Sequence, residues 1–153
     1  MKLNVEIRQP TQADVDTLIA NIRNDDKQEL EASHGDYKKA VQLSFEKSQH
    51  KWSVYVDGEF VCLFGMHQLG LLSDTAIIWM LGTDLIEKHK GAFIRHSKEY
   101  IQAMLSVSPV LMNWCDVRSK KTVRWLKLMG FTFFDAEPYG IKGYPFYRFE
   151  LRA

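Results

Sequence analysis

Residues 75–81 read Thr-Ala-Ile-Ile-Trp-Met-Leu, an unbroken run of apolar or β-favouring residues closed by Gly82-Thr83-Asp84. A run without alternation describes a strand buried on both faces, hence one in the middle of a sheet. A sheet with such a strand needs helices over both sides. The run is far too short for a bilayer, which takes about 20 apolar residues. The rest of the chain must therefore supply flanking strands and two helical layers. With 153 residues it has the material for one such domain over 1–153.

The flanking sequence supplies them. Leu3, Val5 and Ile7 alternate with polar residues as in a half-buried strand. Thr11 then caps a helix with Asp14 three residues on and a Val15, Leu18, Ile19, Ile22 stripe. A second helical region, polar over 25–35, restarts at the cap Asp36 and carries Tyr37, Ala40, Val41 and Phe45. Residues 52–56 and 59–66 flank Asp57-Gly58, the strongest hairpin signal in the chain. Helical period returns over 92–105. A strand follows over 110–117, and then a helix opened by Ser119, with Val123, Leu126 and Met129 inward and Gly130 as its stop. Residues 131–134 and 144–151 close as a strand pair. The predicted order, β-α-α-β-β-β-α-β-α-β-β, describes an α/β (α+β) fold: a mixed sheet of six to seven strands with four helices on its two faces.

Composition narrows the function classes. Lys plus Arg number 20 against 19 Asp plus Glu, a net charge of +1, which excludes a strongly basic nucleic-acid module. The N-terminus lacks the apolar core of a secretion signal, and Cys62 and Cys115 read as reduced, buried thiols, so an intracellular, cytoplasmic protein is expected. None of the five His has a partner at metal-ligand spacing, and no metal site is expected.

The element order and the stretch Ser119-Lys120-Lys121-Thr122-Val123-Arg124-Trp125-Leu126-Lys127-Leu128-Met129-Gly130-Phe131 resemble the GNAT superfamily of N-acetyltransferases over residues 6–151. In that family this helix follows Asn-x-x-Ala-x-x-x-Tyr-x-x-x-Gly-Phe. Spacing and Gly130-Phe131 match; Ser119, Thr122 and Leu126 replace the Asn, Ala and Tyr. The family Tyr is the proposed acid that protonates the leaving thiolate, and Leu126 has no proton to give. Arg124-Trp125-Leu126-Lys127 also looks similar to phage-encoded GNAT-like proteins, including internal virion proteins. That narrower likeness implies a location in the virion or infected-cell cytoplasm.

The resemblance implies acetyl-CoA or coenzyme A as cofactor and an amine as acceptor. It places the family's pyrophosphate loop at Glu87-Lys88-His89-Lys90-Gly91-Ala92-Phe93, with Lys88, Lys90, Gly91 and Ala92 as cofactor-binding candidates and Phe93 where the closing Gly or Ala belongs. The N–H groups of a helix start hold a diphosphate in such a loop; a solvated connection accounts for the same residues. Met80 and Leu81, late in the central strand, take the place whose backbone meets the pantetheine arm, and Ser119 completes the cofactor set.

Candidates for a catalytic base are Glu29 and Asp26, three apart on one helix, and Asp116 on the fifth strand. A helix-surface ion-pair ladder with Arg23 explains the spacing of the first two and is the favoured reading there, as is an ion-paired strand end for the third. A catalytically silent GNAT-fold module in a virion or interaction role competes with the enzyme reading. The aromatic-rich tail offers a partner or homodimer surface if its outward rings are bare.

Overall fold

The computed structural model describes residues 3–153. Seven strands form one sheet: β1 (Val5–Arg8), β2 (His50–Val56), β3 (Glu59–Gln68), β4 (Thr75–Gly82), β5 (Val110–Asp116), β6 (Thr132–Tyr139) and β7 (Tyr144–Arg152). Their spatial order is β1-β2-β3-β4-β5-β7-β6, so the apolar run lies in the centre as its composition requires. All neighbours are antiparallel except β4 and β5.

Among the described residues six helices cover the sheet: α1 (Gln12–Asn21), α2 (Asn24–His34), α3 (Tyr37–Lys47), α4 (Leu85–Lys88), α5 (Lys90–Val107) and α6 (Lys120–Leu128). Four were expected from the sequence. One extra comes from Gly35, whose φ of +88° ends α2 before Asp36 caps α3 through the N–H groups of Lys38 and Lys39. The other is the single turn α4, inside what the sequence suggests is a loop. The last strand pair also begins one residue later and runs longer than expected, because β6 continues past an irregularity between Phe133 and Ala136 to Tyr139.

Two apolar clusters, one per face, hold the layers together. Val15 and Leu18 of α1, Leu30 of α2 and Ala40 and Val41 of α3 pack on Leu63 and Leu81. On the opposite face, Ile101 and Met104 of α5 and Leu126 of α6 pack on Val54, Cys62, Phe64, Met66, Ala76, Leu111 and Phe149. The capping box at Thr11 and Asp14 forms as read, and Asp14 also accepts the hydroxyl hydrogens of Ser53 and Tyr55, tying α1 to β2. Both cysteines are free and buried, and burial pushes their thiols well above the ordinary range. Two outward rings of the tail lie beneath the chain's own cations: Arg148 sits 4.0 Å from the Phe134 ring centre and Arg118 5.4 Å from that of Tyr144.

The feature that positions a site is the parallel pair. β4 and β5 are registered only at Thr75↔Val110, Ala76↔Leu111 and Ile77↔Met112. Beyond that point β4 runs on to Gly82 and β5 to Asp116 without pairing to each other, each still paired to β3 or β7 on its far edge, so the centre of the sheet opens into a fork.

Candidate active site in the forked sheet

A fork exposes backbone groups that a sheet would otherwise pair, and several of them are taken up by side chains and by the backbone of Arg23. At the apex Asn113 reaches across from β5 and its Nδ2 donates to the Ile78 carbonyl at 2.5 Å, while its Oδ1 accepts the Trp114 N–H at 2.7 Å. At the mouth the Gly82 carbonyl accepts the Arg23 N–H at 2.9 Å, and the Gly82 N–H donates to Asp26 Oδ2 at 2.8 Å. Ile78 and Gly82 therefore both turn their backbone toward β5. Strand alternation then turns Met80, midway between them, to the same edge. Its N–H and C=O face the open fork. Leu81 turns its backbone to Leu63 of β3 instead, and its side chain into the α1–α3 cluster.

The start of α2 lies across the mouth. Arg23 Nε sits 2.8 Å from Asp26 Oδ2, and Arg23 Nη2 reaches Thr122 Oγ1 of α6 at 3.3 Å. Both members of the ion pair are buried. Burial raises the Asp26 pKa, yet one oxygen holds a guanidinium and a backbone donor together, so Asp26 is the ionised half of a structural pair. Glu29, one turn on, bonds to the other prong: its Oε2 accepts the Asp116 N–H at 3.1 Å and the Ser119 hydroxyl at 3.4 Å. Ser119 thus spends its hydroxyl on Glu29 rather than on capping α6. No cation pairs with Glu29 among the described residues. Burial, and then the charge of Asp26, push its pKa up to about 8. The two carboxylates are therefore not a solvated ladder, because the helix docks them against two strand ends.

Asp116 is 1 % exposed and its carboxylate is taken up by Arg118, with contacts of 2.7–3.2 Å. The structure gives it the ion-paired strand end, leaving Glu29 as the one candidate carboxylate without a charged partner.

A cavity of about 420 Å³ at the fork is lined by residues from both faces of the sheet. On the α1–α3 side Glu29, Ser33, His34, Lys47, His67, Trp79, Trp114 and Tyr139 are among its walls. On the α5–α6 side it meets Met80, Ala92, Phe93, Trp125 and Leu126. Leu126 is buried and faces this space, as the helical spacing implies. Trp125 Nε1 is a buried donor that no group of the described residues accepts. It stands beside Phe93, with ring centres 5.7 Å apart.

The predicted pyrophosphate loop is a helix start. Lys88 ends α4, His89 is the joint, and the bonds of α5 begin with Phe93 N–H to His89 C=O at 3.0 Å. The N–H groups of Lys90, Gly91 and Ala92 precede that first bond. Lys88, Lys90 and Gly91 are exposed, and a Cβ on Gly91 would meet nothing within 4 Å. Ala92 turns its methyl into the core. The open Met80 edge, the orphaned Trp125 donor and this basic helix start are a fitting set for an extended ligand with amide carbonyls and phosphates at one end, which is the chemistry of coenzyme A. The sequence alone marks neither Asn113 nor Trp125 as a site residue. The signal for Asn113 was present, since it is an amide inside the apolar run of β5.

No family model matches the sequence, and no curated protein matches it. Solved structures do match. An aminoglycoside N(6′)-acetyltransferase from Legionella pneumophila superposes with a TM-score of 0.75 over 99% of this chain and 94% of its own, at 12% identity. A GNAT-family acetyltransferase from Bacillus anthracis gives 0.68 over 97% and 94%, at 13% identity. The chain has the GNAT fold. A Bacillus subtilis acetyltransferase solved in complex with CoA also shares it, with a TM-score of 0.63 over 99% of both chains at 13% identity. These likenesses carry the fold of the GNAT enzymes and lend no support to the narrower phage group.

Proposed function

We propose that the chain is an acyl-CoA-dependent N-acyltransferase in which the fork between β4 and β5 holds the acyl donor and Glu29 serves the amine. The observation that supports it most is Glu29 itself. It is a carboxylate without a charged partner, with its pKa raised to about 8, on the wall of a cavity that also exposes the Met80 backbone edge.

Coenzyme A, when bound, supplies the acyl group as a thioester. Lys88, Lys90 and the N–H groups at the start of α5 would hold the diphosphate end, and the unpartnered Trp125 Nε1 would donate to a carbonyl of the arm. The Met80 N–H points into the fork, where it polarises the acyl carbonyl oxygen. Glu29 takes a proton from the incoming ammonium, so that the neutral amine would form the amide bond as the C–S bond breaks, with the thiolate leaving to take its proton from solvent because Leu126 has none to give. An alkylamine has a pKa near 10.4, so passing its proton to an ordinary carboxylate costs about 8 kcal/mol. Passing it to Glu29 at about 8 costs roughly 3 kcal/mol. Asp26 contributes by holding α2 on Gly82 and by keeping that pKa high, as a positioning residue.

Leu126 favours a second reading, a GNAT-fold protein that binds the donor and turns it over little or not at all, in an interaction role. Incubation with acetyl-CoA and a panel of small amines, following thiol release and acetylamine by mass, separates the two. Amine-dependent thiol release abolished by Glu29→Gln supports the enzyme. Donor binding without amine-dependent release supports the binder.

A further inference from the structure

The acceptor arm of the cavity carries a carboxyl group at one end, ionised above about pH 8, and a cation at the other. Its inner end is Glu29, hydrogen-bonded to the prong of β5. Trp79, Trp114 and Tyr139 also line it, with Trp114 and Tyr139 stacked at 4.6 Å. Aromatic faces beside a carboxylate suit an ammonium group. Farther along α2, His34 borders the cavity together with Lys47 at the end of α3. Lys47 is exposed, and among the described residues no carboxylate stands within ion-pair distance of it. The Lys47 charge is felt at His34, whose pKa is lowered by burial and then by that charge. Five residues of helix separate Glu29 from His34, about 7.5 Å along the axis.

We infer that the acceptor is a small amine carrying an anionic group several bonds away, such as an ω-amino acid, with its ammonium at Glu29 and its anion at Lys47. This rests on the acyltransferase reading for its purpose but not for its test. A polyamine or diamine meets Lys47 with like charge and is disfavoured at the same place.

Binding is read from the fluorescence of the cavity tryptophans without any acyl donor. Three probes of one length are titrated at pH 9, above the Glu29 pKa: 4-aminobutanoate, 4-aminobutanamide and 1,4-diaminobutane. Lys47 is solvated, so the acid is expected to bind about 2–5-fold tighter than the amide, with the diamine weakest. Lys47→Ala should erase that preference and Lys47→Glu should invert it. Lys47 is an exposed helix-end residue, so both variants should fold, which circular dichroism checks. Equal or tighter diamine binding in the parent overturns the inference, as does a preference that survives both variants. Failure of every probe to bind at millimolar concentration overturns it too. Protection by acetyl-CoA alone, measured separately, tells that failure from the failure of the acyltransferase reading.

Discussion

Glu29→Gln separates stability from catalysis in opposite directions. The native carboxyl keeps its proton up to about pH 8, whereas in the unfolded chain it ionises near 4.5. Between those values the unfolded state binds fewer protons than the folded one, so stability falls as pH rises through that window. Each pH unit of the window is worth about 1.4 kcal/mol, which sets a ceiling of about 5 kcal/mol lost by pH 8. Glutamine carries no such linkage, and its amide oxygen can still accept from the Asp116 N–H and Ser119 hydroxyl that Glu29 uses. The variant should match the parent near pH 5 and exceed it by about 2–5 kcal/mol at pH 9, a rise in Tm of roughly 5–15 °C. Amine-dependent transfer should meanwhile fall by about 10²–10⁴-fold, the usual contribution of a positioned base. Urea unfolding of both proteins at intervals from pH 5 to 9 measures the first effect. Parallel stability curves for parent and variant would refute a raised Glu29 pKa and the mechanism built on it.

Parent transfer should rise with pH and level off above about 8, because Glu29 must be ionised to take a proton; a flat profile over pH 6–9 removes it as the base. Leu126→Tyr places a hydroxyl on the inner face of α6, and faster acetyl transfer in the variant would show that thiolate protonation limits the parent. Replacing Gly91 with leucine should weaken coenzyme A binding without lowering Tm, since a side chain there meets open space. Lys88→Ala and Lys90→Ala should cost less, with effects that shrink as salt rises, both read by calorimetry. Asn113→Ala leaves the Ile78 carbonyl without its partner and should destabilise by about 1–3 kcal/mol in urea unfolding.

The fold was largely legible in the residues because its signals are local. The unalternating run at 75–81 predicts a covered central strand, and Asp57-Gly58, with φ of +50° and +82°, forms the tight hairpin turn its sequence implies. Gly130-Phe131 likewise closes α6 where its helical spacing ends. The site was legible only in its parts. Asp26 and Glu29 sit on a helix polar enough to pass for a surface one, and periodicity does not report which strand ends such a helix will meet. The fork itself has no local signature, since it is a divergence of two strands 35 residues apart. Lys88-His89-Lys90-Gly91 has the composition of a loop, but Leu85 and Ile86 before it and the amphipathic face after it pull both flanks into helices.

The central claim is that the fork holds an acyl-CoA, and thermal unfolding with and without acetyl-CoA tests it most directly. A ligand at about 100 times its Kd stabilises the folded state by about 2.7 kcal/mol. For a domain of this size that is a rise in Tm of roughly 5–11 °C, which should grow with the logarithm of acetyl-CoA concentration and shrink in the Gly91→Leu protein. An unchanged melting temperature at millimolar acetyl-CoA and coenzyme A would contradict the account.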